Sequence, residues 1–200
     1  MLPEMIIVGI TGFKSSGKNE VANIFRDHGF RIISMADCLK DMVSATFSLD
    51  RQLLEGTTIE SREWREYPLR ELQWLAGQGV FKNDLIITPR LVLQRFGTDL
   101  IRDNVSPNFW LHCLKMRISK LEPCRGVVIP DTRFLNELQF CDVTVRIQRN
   151  IPSVSRLKSM HISETDHLRF QHHYTIINDG SLTMLRFRAE EIIGLILNAI

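Results

Sequence analysis

A short apolar run, Met5-Ile6-Ile7-Val8-Gly9-Ile10, leads through Thr11 directly into Gly12-Phe13-Lys14-Ser15-Ser16-Gly17-Lys18. The run is β-branched and has no polar alternation, the pattern of a strand buried on both faces of a parallel sheet. Gly12 to Lys18 fits the phosphate-binding pattern of a glycine, four residues, then Gly-Lys. Average composition would place that pattern in roughly one chain in seventeen of this length, so the pattern alone is weak evidence. Its setting is stronger, because Val21, Ala22, Ile24 and Phe25 recur at helical spacing after it, up to His28-Gly29. A strand, a glycine loop and a helix in that order let backbone N–H groups and a helix N-terminus converge on an anion.

The rest of the chain alternates in the same way, which predicts an α/β fold. Phe30–Ser34, Gly126–Pro130, Val143–Ile147 and Tyr174–Ile177 read as strands. Ala36–Phe47, a segment opened by Thr88-Pro89 and running to Ile101, one from Pro107 to Leu121, and Leu182–Ile200 read as helices. Residues 48 to 88 have no clean period beyond a short helix at Leu69–Ala76 and read as an excursion carrying exposed polar residues. The polar stretch from Arg149 to Phe170 reads as a functional loop or lid.

Composition limits the function. With 25 Lys+Arg against 23 Asp+Glu, the net charge of +2 argues against a broad nucleic-acid surface. Of those 25 cations, 18 are arginines, which carry the planar fork that grips phosphate bidentately. The four cysteines, Cys38, Cys113, Cys124 and Cys141, lack zinc or redox spacing and read as buried free thiols in a reducing cytosol. The start, MLPEMIIVGI, is acidic where a signal peptide is basic, and no stretch approaches a membrane span. The expectation is one soluble, cytoplasmic domain over residues 1–200 with no membrane partner.

Lys18 is the residue expected to reach the β- and γ-phosphates of a nucleotide, with Gly12, Lys14, Ser15, Ser16 and Gly17 forming the loop around them. Asn19 stands where a Ser or Thr hydroxyl usually meets Mg²⁺. Direct coordination, contact through water and helix capping are all open for it. Asp131 follows the apolar strand at its carboxyl end, where parallel sheets bind ligands, and can hold Mg²⁺ through water or orient an arginine. Gly97 within a helical pattern loses about 1 kcal/mol against Ala, so a close approach of ligand or backbone there is expected. His172-His173 reads as a surface pair, since no third ligand is spaced to complete a metal site.

Several segments, in order, resemble the bacteriophage deoxynucleoside monophosphate kinases. They are Met35-Ala36-Asp37-Cys38-Leu39-Lys40-Asp41, Leu93-Gln94-Arg95-Phe96-Gly97-Thr98-Asp99-Leu100-Ile101, Asn108-Phe109-Trp110, Ile129-Pro130-Asp131-Thr132-Arg133, His161-Ile162-Ser163-Glu164 and Ile177-Asn178-Asp179-Gly180-Ser181-Leu182. The likeness runs from Ile6 to about Leu185 and is weakest across 48–87, where little beyond Arg62-Glu63 aligns. It implies a parallel sheet of the phosphate-loop NTPase type, flanked by helices, with a helical substrate-binding insertion at 48–88 and a lid at 149–171.

The same resemblance implies transfer of the γ-phosphoryl of ATP, with Mg²⁺, to a deoxynucleoside monophosphate. It assigns catalysis to Lys18, Asp131 and Arg133. The ATP site would comprise the loop residues Gly12 to Asn19, Arg149, and Asn178, Asp179 and Gly180, with Arg156 and Lys158 as further lid cations. The acceptor would meet Lys14, Leu39, Lys40, Arg62, Arg90, Gln94, Gly97, Thr98, Trp110, Asp131, Arg133 and Glu137. His161, Ser163 and Glu164 would cap a lid helix, and a homodimer is the oligomeric form it carries. A related small-metabolite kinase acting on dephospho-coenzyme A, and a nucleotide switch without transfer activity, are the alternatives.

Overall fold

The computed structural model describes residues 5–149 and 162–199. The chain divides into two compact units, one of residues 1–35 and 115–200, the other of residues 36–114.

The first unit is built on five parallel strands, β1 (Ile6–Thr11), β2 (Phe30–Ile32), β3 (Gly126–Ile129), β4 (Val143–Gln148) and β5 (Tyr174–Ile177). They lie in the order β2-β3-β1-β4-β5. The apolar runs seen in the sequence are these strands, and β1 sits at the centre with Val8, Ile10, Val128, Val145 and Ile147 all buried. Alternation along β1 assigns its faces. Val8 and Ile10 join a core with Val21, Ile24 and Phe25 of helix α1 (Lys18–Asp27) and with Leu185, Ala189, Ile193 and Ile196 of the C-terminal helix (Leu182–Asn198). Gly9 points the other way, where a Cβ would stand 2.6 Å from Cys141 Sγ, at the end of a short helix over Leu135–Phe140. Helices therefore flank both faces of the sheet, as expected. The order places β3 and β4 beside β1, so the loop leaving β1 opens at the carboxyl edge where ligands of such sheets bind.

The second unit is helical: α2 (Asp37–Phe47), α3 (Ile59–Glu66), α4 (Pro89–Gln94) and the first part of α5 (Phe109–Ile118), with short 3-10 turns between. Thr88 caps α4 as its sequence predicts, accepting a hydrogen bond from Leu91 N at 3.2 Å ahead of Pro89. Residues 48–88 carry exposed polar residues, as the sequence predicts, and also an apolar core that it did not reveal. Leu49, Leu54, Leu72, Leu75, Phe81 and Ile87 from that stretch pack with Leu39, Val43, Val92 and Leu93 into a separate core. The expected helix at Leu69–Ala76 is a 3-10 turn, Arg70–Leu75, whose period of three buries Leu72 and Leu75 together. Gln73 fixes this turn by imitating a backbone, donating to Ile87 O at 2.7 Å and accepting from Ile87 N at 3.0 Å.

Helix α4 does not continue regularly to Ile101. Arg95–Arg102 is π-helical, with the Asp103 N–H bonding back five residues to Thr98 O. Such wide turns are rare and often mark functional segments. Most of the expected lid falls at 150–161, outside the described residues, together with Arg156, Lys158 and His161. No helix among the described residues is long and apolar enough to cross a membrane.

Phe30 of β2 is 1% exposed and meets Phe25 edge-on at 5.2 Å. Phe30→Ala is expected to destabilise the first unit by about 3–5 kcal/mol in urea unfolding. A loss below about 1 kcal/mol would contradict this packing.

Candidate active site

The loop after β1 reaches its shape through left-handed backbone that few residues tolerate. Gly12 has φ +144°, Ser15 +62° and Gly17 +105°. A Cβ on Gly12 would meet Ile147 O at 2.4 Å, and one on Gly17 would meet Asn178 Nδ2 at 2.8 Å and Leu185 Cδ2 at 2.9 Å. Both glycines are therefore required by conformation and by space. Lys18 closes the loop on itself, its Nζ donating to Gly12 O and Phe13 O, each at 2.7 Å. Asn178, 5% exposed, holds the loop from behind, its side chain donating to Ser16 O at 2.8 Å and its backbone to Gln148 O at 2.8 Å. Lys14, Ser15 and Asn19 are exposed, whereas Ser16 is buried and its Oγ has no hydrogen-bond partner.

At the carboxyl end of β3, Asp131 is half-buried. Its Oδ2 accepts from Ser34 Oγ at 2.6 Å and its Oδ1 from Met35 N at 2.7 Å, which ties the end of β2 to the end of β3. Arg133 is two residues on. Glu137, almost fully buried, turns back to accept from Arg133 N at 2.7 Å and Phe134 N at 3.2 Å, capping the helix that starts at Leu135. Burial pushes the Glu137 carboxyl up to about 7, outweighing the two N–H donors that favour its charged form.

Beyond β4 and β5 the first unit holds Arg149, Asp179 and Gly180, all exposed. Asp179 is engaged by Arg188 at 2.7 Å, which lowers its pKa. Two histidines approach the loop that the sequence did not place there. His172 is half-buried rather than superficial, its Nε2 2.9 Å from Thr11 Oγ1 at the end of β1. His167, 3% exposed, stands edge-on to the Phe13 ring at 5.3 Å. Burial, then the charges of Arg146, Lys18, His172 and Arg133, depress His167 to about 4. His173 bonds elsewhere, accepting through Nδ1 from Thr144 N at 3.1 Å.

In the second unit, Leu39, Gly97 and Trp110 form one contact chain. A Cβ on Gly97 would stand 2.7 Å from Leu39 Cδ2, and Trp110 Nε1 donates to Gly97 O at 2.7 Å. The close approach predicted at Gly97 is thus made by a side chain. Thr98 is buried beside it, and Gln94 is half-buried. The π-helical segment is clamped by Arg95, which grips Asp84 through Nε at 2.8 Å and Nη2 at 2.9 Å, and Asp99 through Nη1 at 2.6 Å. Lys40 is 8% exposed and bonded to Glu55 at 2.7 Å, with Asp37 at 3.6 Å and Arg51 sharing both acids. Arg62, exposed, donates to Gly56 O at 3.0 Å and Thr57 O at 3.1 Å, and Arg90 lies 3.6 Å from Glu66.

Within the first unit, then, Gly12 to Lys18 and Asn178 are in contact and Asp131, Arg133 and Glu137 share one turn, while Arg149, Asp179 and Gly180 lie on exposed backbone. Within the second, Leu39, Gly97, Thr98 and Trp110 cluster, and Lys40, Arg62 and Arg90 each hold a separate partner. Sequence reasoning missed Arg146, His167 and Arg95. Arg146 carried a readable signal, the one charged residue of its strand; His167 and Arg95 carried none. Among the described residues no three metal-ligating side chains gather.

The profile of the deoxynucleotide monophosphate kinase family matches residues 76–188, more than half of the chain. A protein of Acanthamoeba polyphaga mimivirus, "Putative deoxynucleotide monophosphate kinase", is 34% identical over 147 residues, 68% of each chain. In fold, the chain is similar to the crystal structure of TT1252 from Thermus thermophilus, with a TM-score of 0.52 at 22% identity over 97% of this chain and 98% of that one.

The elevated Glu137 predicts a defined pH effect. Between about 4.5 and about 7 the folded chain keeps a proton that the unfolded chain has released, so Glu137 makes stability fall as pH rises through that window. His167, depressed to about 4, acts in the opposite sense. Comparing urea midpoints of the wild type and Glu137→Gln at about pH 5 and about pH 7.5 isolates the first effect. The variant should gain stability relative to the wild type at the higher pH, and an unchanged difference between the two pH values would contradict the assignment.

Proposed function

Because this chain belongs to the deoxynucleotide monophosphate kinase family and is by that membership a phosphotransferase, we propose that it moves the γ-phosphoryl of ATP in line to the 5′-phosphate of a deoxynucleoside monophosphate. The observation that carries this reading is the loop of Gly12 to Lys18, rigidly preformed and ending in a lysine at a helix start. An acceptor phosphate oxygen attacks the γ-phosphorus, the bond from that phosphorus to the β-bridging oxygen breaks, and ADP leaves with the electron pair. The acceptor oxygen is already anionic, so no general base is required. The protein's task is positioning and neutralising charge.

Lys18 is the residue for the β- and γ-phosphates. Its two bonds to loop carbonyls hold the ammonium inside the loop, ready to exchange them for phosphate oxygens. Arg133 takes the transferring group. Asp131, with both oxygens receiving donors, fixes the turn that carries Arg133. Mg²⁺, when bound, supplies charge neutralisation across the phosphates; this cation usually takes one or two protein oxygens beside phosphates and water, and the side chains of Asn19 and Asp131 suit that minority share.

The second unit is the acceptor side of this reading. Trp110 has its N–H on Gly97, so it would offer a base its ring face rather than a donor. Leu39 and Gly97 set that ring's position, while Gln94, Thr98, Lys40, Arg62 and Arg90 are the polar groups for base, sugar and phosphate. Lys14 and Glu137 belong to the acceptor site, and Arg149, Asn178, Asp179 and Gly180 to the adenosine end of ATP. The whole chain would work as one kinase domain in the cytoplasm, as a homodimer.

The protein mixed with Mg-ATP and each standard deoxynucleoside monophosphate should release ADP and form a deoxynucleoside diphosphate with at least one of them. Turnover with none, or only with dephospho-coenzyme A, would overturn the reading.

A further inference from the structure

Arg146 lies near the carboxyl end of β4, and its register partner across the ladder is Thr11, the residue immediately before the phosphate loop. Neighbouring strands are about 4.8 Å apart and paired residues project from the same face, so Arg146 and Thr11 share that face. Thr11 Oγ1 bonds to the His172 ring, placing His172 there too. The charge of Arg146 is felt at both His167 and His172, and His167 also feels Lys18 and Arg133. Cations from three segments, Lys18, Arg133 and Arg146, therefore reach one neighbourhood around Phe13.

Among the described residues no carboxylate pairs with Arg146. It is half-buried, and no hydrogen bond or ion pair involves its guanidinium among the described residues, whereas Arg51, Arg95, Arg186 and Arg188 each grip at least one acid. A partly buried guanidinium with no carboxylate partner among the described residues is a favourable place for an anion. His167 adds an independent mark: its Nε2 is buried, without a hydrogen-bond partner, in a ring packed on the loop's Phe13. Polar atoms are rarely left so unless a ligand or ordered water completes them.

We propose that Arg146 binds the triphosphate chain of the donor nucleotide, beside Lys18. This rests on the donor-site reading above and adds to it a residue with the forked geometry that phosphate oxygens fit. Burial first, and the neighbouring charges after it, lower the pKa of both histidines. His167 faces Arg146, Lys18, His172 and Arg133, and His172 faces Arg146 and His173. Arrival of a polyphosphate reverses the field at both rings.

Inorganic triphosphate and Mg-ATP are the probes. Arg146→Gln should raise the KM for ATP and weaken triphosphate binding by about tenfold or more, leaving the KM of the deoxynucleoside monophosphate within about twofold, and Arg146→Lys should recover part of the loss. In the wild type, followed by NMR, triphosphate should raise the pKa of His167 and His172. This second measurement stands even if Arg146→Gln fails to fold. A folded Arg146→Gln with unchanged ATP KM, or wild-type histidines whose titration triphosphate does not move, overturns the role of Arg146. A wild type that binds neither ATP nor triphosphate overturns the donor-site reading itself.

Discussion

The loop between β1 and α1 holds three residues at positive φ, and that conformation survives because opposite sides of it are tied down. Lys18 draws the Gly12 and Phe13 carbonyls inward, and Asn178 takes the Ser16 carbonyl from behind. Strain of this sort costs of order 1–3 kcal/mol for a non-glycine residue such as Ser15 and persists only where the surroundings over-determine it. Here the surroundings are the parallel sheet: Ile147 of β4 leaves no room for a Cβ at Gly12, and Asn178 follows β5. The sheet order, with β1 between β3 and β4, is what sets these contacts around the loop.

The second unit solves a different problem with different means. Its core is small and its elements are short, so charged side chains set its geometry. Arg95 with Asp84 and Asp99 fixes the π-helical turn, and Arg51 with Asp37, Asp41 and Glu55 fixes the start of α2. Forked arginine pairs hold direction as well as distance. Part of the arginine excess thus serves architecture rather than phosphate. The charges of Arg133 and Arg146 are felt at His167, whose ring packs on Phe13 of the loop.

Most of the sheet was legible because buried parallel strands leave an unmistakable residue pattern: β1, β3, β4 and β5 fall within a residue or two of the apolar runs that announce them. The Thr88-Pro89 helix start was legible for the same reason, since a cap acts through neighbours in sequence. Residues 48–88 were not, because their elements are 3-10 turns and a short helix whose apolar residues follow no sustained period. The π-helical turn escaped as well: the pair that holds it, Arg95 with Asp84 eleven residues back, leaves no local trace. Within the site, the loop was readable to the residue, while the roles of Lys40, Asn178 and Glu137 as internal partners could not be seen until chain folding placed Glu55, Ser16 and the Arg133 N–H beside them.

Lys18 is the decisive residue of the proposed reaction, since its ammonium completes the loop and, on that proposal, is the charge offered to the nucleotide. Steady-state turnover of Lys18→Ala, with the urea midpoint measured alongside, tests this most directly. The expected result is a loss of at least about 10²-fold in kcat at a nearly unchanged midpoint. Turnover within a few-fold of the wild type, in a variant just as stable, would contradict it.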